Sequence, residues 1–109
     1  METNLFETAQ TFRFEAKADY SEGGIVSKRV IDRPTGNISL FAFDKGQRLS
    51  EHKAPFDAMV QVVEGQAEIV IDGVPHILKA GEAIIMPANI THAVNAVEKF
   101  KRVLTKIKG

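Results

Sequence analysis

Three imidazoles, at His52, His76 and His92, are the side chains best suited to proton transfer or metal ligation near neutral pH. No cysteine is present, which excludes disulfides, thiolate metal sites and cysteine nucleophiles. His52 lies in a stretch that runs from Gly46 to Gly65, and His92 in one that runs from Gly81 through Pro87 to Ala96. Two such rings can hydrogen-bond a small molecule, or hold a divalent metal such as Zn, Ni, Fe or Mn if further donors join. Catalytic zinc takes three protein ligands and structural zinc four. Glu51, beside His52, points the other way by strand alternation and reads as a solvated acid. His76 follows the Asp72-Gly73 turn and nothing in the sequence brings it to His52, so it reads as a surface strand residue. Other chemistries lack their signatures. There is no Gly-rich phosphate loop, no nucleotide fingerprint and no Gly-x-Ser-x-Gly elbow.

The elements that must position these rings are short strands. Residues 11–16 alternate polar and apolar. The segment 38–43 is apolar on both faces, and Val60, Val62 and Val63 lead to a predicted turn at Glu64-Gly65. Ala67, Ile69 and Ile71 alternate up to Asp72-Gly73, the strongest hairpin signal in the chain. A strand at 76–78, a turn at Lys79-Ala80-Gly81, a strand at Ala83–Met86 that stops at Pro87, and strands at 90–96 and 99–107 complete the pattern. In the last of these, Phe100, Arg102 and Leu104 alternate with Lys101, Val103 and Thr105. Residues 17–24 read as a loop between early strands, and the one helical candidate is a single turn at 4–10, with Asn4 as its cap. The pattern is all-β, a sandwich or barrel.

The length of 109 residues sets one domain, long enough for one modest core. Its 44% hydrophobic and 26% charged residues exclude a disordered chain. Fourteen basic side chains balance fourteen acidic ones, so nucleic-acid binding through bulk charge is not expected. The N-terminal residues carry acid where a signal peptide needs base, and no apolar run approaches the ~20 residues that span a bilayer. A soluble, cytoplasmic protein with no membrane partner is expected. The basic residues Lys99, Lys101, Arg102, Lys106 and Lys108 read as a solvated edge that blunts sheet pairing, or as an anion-binding patch. Apolar residues on both faces of 38–43, 60–63 and 83–86 need cover, which a homodimer partner or the N-terminal strands would supply.

The two histidine-bearing stretches resemble the paired motifs of the cupin superfamily. The first motif runs Gly–His–His–Glu–Gly and the second Gly–Pro–His–Asn, and the Gly and Pro positions fit at Gly46, Gly65, Gly81 and Pro87. The resemblance implies a double-stranded β-helix, or jelly-roll, cupin barrel with little or no helix. Residues 36–109 would be the barrel core and residues 1–35 N-terminal strands and loop. In the family, two histidines and a glutamate of the first motif and one histidine of the second converge on a metal inside the barrel. Here His52 and His92 occupy two of those places, while Ala54, Ala58 and Ala96 stand where the second histidine, the glutamate and the closing asparagine are expected. Asn95 is one residue off, on the opposite strand face. Asp57 and Gln61 also face away from the Ala58 side by parity, and Asp57 is better suited to accept backbone N–H bonds of a loop.

Two functions follow from the resemblance and the gaps in it. One is a small-molecule-binding barrel whose mouth holds His52 and His92 among apolar side chains such as Met86 and Ile84. The other is a metal-dependent cupin enzyme of the dioxygenase, isomerase or decarboxylase type, acting on a small organic substrate.

Overall fold

A computed structural model describes residues 5–108. Eight strands follow one another: β1 (Ile25–Arg33), β2 (Gly36–Phe43), β3 (Arg48–His52), β4 (Asp57–Ile71), β5 (Val74–Lys79), β6 (Ala83–Met86), β7 (His92–Asn95) and β8 (Phe100–Ile107). All pairings are antiparallel, in the order β1-β2-β8-β4-β7-β3, with β5 and β6 also paired to β4.

The long strand β4 is the hinge of the architecture. Its first half pairs with β6 and β8, and its second half, from Gln66, pairs with β5 and β7. The predicted turn at Glu64-Gly65 is therefore corrected: the chain continues as strand through a register shift between Val62 and Glu64. Gly65 takes φ +79 there and lies so close to the Lys99 carbonyl that a Cβ would collide with it. Such a bulge bends one strand so that it serves both sheets. The Asp72-Gly73 hairpin appears as predicted, with φ +50 and +78, the positive pair that the tight turn requires.

The main core lies between the sheets. Phe43, Val60, Val62, Ile69, Val94 and Phe100 are almost wholly buried, and Phe43 stacks on Phe100 with ring centroids 4.6 Å apart. A second cluster covers the outer face of β2 and β8. Phe6, Ala18, Leu40, Ala42 and Val103 are buried in it, with Phe14 and Tyr20 packed alongside. The N-terminal segment thus supplies much of the cover that the two-faced strand 38–43 needs.

That segment is not a strand. Residues 11–16, read as alternating, form an irregular stretch and a short 3-10 helix at Phe14–Ala16. Phe6, Phe12 and Phe14 gather into one aromatic group, with neighbouring centroids 5.0–6.5 Å apart, so these rings pack on one another instead of pointing to alternate faces. Of the single-turn helix read at 4–10, Asn4 lies outside the described residues, and residues 5–10 form bends and turns.

The basic C-terminal strand is corrected as well. β8 is central, between β2 and β4, and Lys101 and Arg102 are 6% and 3% exposed, not a solvated edge. Lys101 faces the N-terminal segment: its ammonium donates to the Glu15 carbonyl at 2.6 Å and lies 3.5 Å from the Glu64 carboxylate. Tyr20 donates to the same Glu64 at 2.5 Å, and burial together with Glu64 raises its phenol pKa. Arg102, one residue on, faces the opposite way, into the barrel.

Candidate functional site

Strand alternation builds the site. β8 sends Arg102, Leu104 and Lys106 inward, β7 sends His92 and Val94, β4 sends Ala58, and β2 sends Phe41. The pocket between them, closed by Leu49, His52, Ala54, Phe56 and Met86, encloses about 190 Å³. Its walls are mainly apolar. Its polar groups are two imidazoles, one guanidinium and one ammonium.

His52 and His92 are direct register partners across β3 and β7, and their ring centroids are 4.2 Å apart, edge to face. His92 is buried, while His52 is exposed at the rim. The His52 Nδ1–H donates to the Ser50 carbonyl at 2.9 Å. A carbonyl only accepts, so this bond places the proton on Nδ1 and leaves Nε2 of the neutral ring as an acceptor. His92 Nδ1 is buried and makes no well-formed hydrogen bond among the described residues, the Ile90 carbonyl being the backbone acceptor that acts on the ring.

Burial is the largest cause of a lowered His92 pKa, followed by the nearby His52. The Ile90 carbonyl opposes the fall, and Arg102 and Lys106 add to it. The sign of the linkage follows. Between the ordinary value of 6.5 and the lower folded value, the unfolded chain binds more protons at this ring than the folded one. His92 therefore makes the fold less stable as pH drops below about 6.5, an effect that levels off once the folded ring is itself protonated. Urea midpoints measured between pH 7 and pH 5 should fall more steeply for the native chain than for His92→Gln; equal slopes would contradict this origin.

Arg102, expected from the sequence only as part of a basic edge or anion-binding patch, lies inside the pocket. Its guanidinium carbon lies 4.9 Å from the Phe41 ring and 5.2 Å from the Phe43 ring. Nε and Nη1 are buried with no hydrogen-bond partner, and no carboxylate pairs with them among the described residues. Burial pulls its pKa down to about 10, which still leaves it fully charged at neutral pH. The signal was present in the sequence, since Arg102 shares the parity of Phe100 and Leu104. Lys106, half-buried on the same face, is likewise pulled down by burial and by the positive charge of Lys108, Arg29 and Arg102.

The remaining candidates fall where parity put them. Asp57 is exposed and accepts the Ala88 N–H at 2.8 Å, anchoring the loop after β6. Gln61 and Glu51 are exposed. Asn95 donates to Glu68 at 2.8 Å, away from the pocket, while Ala96 is buried. His76 pairs in register with Ile69 on the β4–β5 ribbon and does not line the pocket.

The family description "Cupin domain" matches residues 39–104, more than half of the chain. The chain belongs to the cupin family. A conserved protein of unknown function from Streptococcus pyogenes is 35% identical to this cupin, with a TM-score of 0.91 over 97% of this chain and 93% of that one. A cupin 2 conserved barrel domain protein from Leptotrichia buccalis is 43% identical, with a TM-score of 0.84 over 86% of this chain and 46% of that one. Among curated proteins, protein SchB of Streptomyces halstedii is 38% identical over 59 residues, which is 53% of this chain and 43% of SchB. Polyketide synthase CurC of Streptomyces cyaneus is 34% identical over 59 residues, 53% of this chain and 38% of that one. This cupin thus spans less than half the length of those two relatives.

Cupin barrels commonly hold a metal ion, and the donor set here does not fit one. Two imidazoles face the pocket, alanines stand at positions 54 and 58, and no group of three His, Asp or Glu able to hold an ion occurs among the described residues. Arg102 and Lys106 add positive charge to the same cavity, which disfavours a further cation. No described helix is long and apolar enough to cross a membrane.

Proposed function

We propose that this cupin binds a compact organic molecule in the barrel mouth, between His52, His92 and Met86, without a resident metal. One observation carries the reading. The pocket has apolar walls and a few convergent polar groups, as small-molecule sites do, while alanine methyls fill the places of the two missing metal ligands. Met86, buried at 3% exposure, supplies a soft, adaptable wall.

A second reading makes the same pocket catalytic. The lowered pKa keeps His92 neutral at pH 7, suited to accept a proton from a bound substrate with His52 alongside. The name polyketide synthase for CurC supports a substrate that is built from carbonyl units. The metal-dependent dioxygenase, isomerase or decarboxylase is the version that the donor set disfavours.

Elemental analysis of protein purified without a metal-affinity tag tests the reading. Well under one equivalent of iron, manganese, nickel or zinc is expected. A stoichiometric metal, lost in His52→Ala or His92→Ala, would overturn it in favour of the metalloenzyme.

The proposal includes a homodimer, since Ile85 and Ile107 are 63% and 60% exposed along one groove with Met59. A solution mass near twice the 12.0 kDa chain supports that arrangement, and a single-chain mass contradicts it. It also includes a cytoplasmic location, where a cysteine-free chain has no need of an oxidising compartment.

A further inference from the structure

We infer that the molecule taken up by this pocket is a carboxylate with an apolar body, and that Arg102 is the residue that grips its charge. The inference rests on the pocket reading above and names its ligand class. Arg102 carries a fixed positive charge and is 3% exposed, yet Nε and Nη1 have no hydrogen-bond partner among the described residues. Buried polar groups in folded proteins are nearly always paired, and an orphan of this kind asks for an explanation. Among the described residues no counter-ion meets it: the pocket lining contains no Asp or Glu. Phe41 and Phe43 hold the guanidinium in place, so the donors are fixed before a ligand arrives.

The chemistry of the partner follows from the donors and the walls. A planar guanidinium presents parallel N–H groups that match the two oxygens of a carboxylate. Lys106 and the His92 imidazole line the same cavity and extend the polar end. The other walls are mainly apolar, including Leu49, Met86 and Val94, with the His52 ring at the rim. An inorganic anion would lose its hydration against those walls with little return, whereas a carboxylate on an aliphatic or aromatic body satisfies both ends.

Benzoate and its neutral isostere benzamide are the probes, with inorganic phosphate as the hydrated anion. Binding is read from the Met86 methyl signal in methyl-labelled protein, for the native chain and for Arg102→Met. In the native chain benzoate should bind at least ~10-fold more tightly than benzamide, the usual scale for charge-assisted hydrogen bonds. In Arg102→Met that ratio should fall to about one while benzamide affinity is kept. A ratio near one in the native chain, a ratio unchanged in the variant, or phosphate binding more tightly than benzoate would overturn the carboxylate assignment and leave the pocket reading standing. If neither aromatic probe moves the Met86 methyl, the pocket reading fails and the assignment with it. Should Arg102→Met not fold, the native ratio decides, together with the shift of the Arg102 Nε–H signal, which benzoate must move and benzamide must not.

Discussion

Phe100→Ala should cost about 3–5 kcal/mol, enough to leave the domain marginal or unfolded at room temperature. Phe100 is wholly buried at the start of β8, stacked on Phe43 at 4.6 Å with an interplanar angle of 12°. It pairs in register with Phe43 of β2 on one side and Gly65 of β4 on the other. The ring therefore sits where the bulge hands β4 from one sheet to the other. Gly65 must have no side chain because the backbone of Lys99 and Phe100 already fills that space. A cavity here cannot collapse easily, since three strands converge on it and each is fixed by its ladder. Urea denaturation monitored by circular dichroism measures the loss. A cost below about 1 kcal/mol would mean that the core is not centred on this stack.

The second large effect has the opposite sign. Arg102→Met should stabilise the ligand-free protein by about 1–3 kcal/mol while removing its grip on carboxylates. The native guanidinium is buried as a charge with no counter-ion among the described residues, and its Nε and Nη1 lack hydrogen bonds to them. Contacts with Phe41 and Phe43 recover part of that cost, on the order of 1–2 kcal/mol. Methionine keeps an unbranched chain against the same two rings and has no charge to desolvate. A raised urea midpoint with an unchanged slope is the expected result. A lowered midpoint would show that the charge is already satisfied, and the case for a ligand at this place would weaken. The trade is common at functional sites, where a poorly satisfied group is retained for what it binds.

Much of the barrel was legible in the sequence because its signals are local. Asp72-Gly73 declares a hairpin through backbone conformations that few other residue pairs adopt easily. Pro87 ends β6, and the Gly46, Gly65, Gly81 and Pro87 skeleton locates the two strands that bring His52 and His92 into register. Parity then placed Asp57, Gln61, Glu51 and Asn95 away from the pocket, and each is found there.

What escaped the sequence depends on contacts far along the chain. Gly65 looks like a turn residue, and only the approach of Lys99 makes it a bulge. Residues 11–16 have strand-like alternation, but they pair with no strand among the described residues, and the three phenylalanines cluster instead. The burial of Lys101 and Arg102 escaped the sequence, because five basic residues in ten positions look solvated. Both are buried, on opposite faces: one tied to Glu15 and Glu64, the other in the wall of the cavity. Charge argued for the surface, while the parity shared with Phe100 and Leu104 argued for the interior, and the parity was right.

A crystal structure of untagged protein soaked with benzoate tests the central claim most directly. The account predicts planar density in the pocket, with its carboxylate oxygens on the Arg102 guanidinium, its ring toward Met86, and no ion between the imidazoles. A spherical peak with an anomalous metal signal, bonded to both His52 and His92, would contradict it.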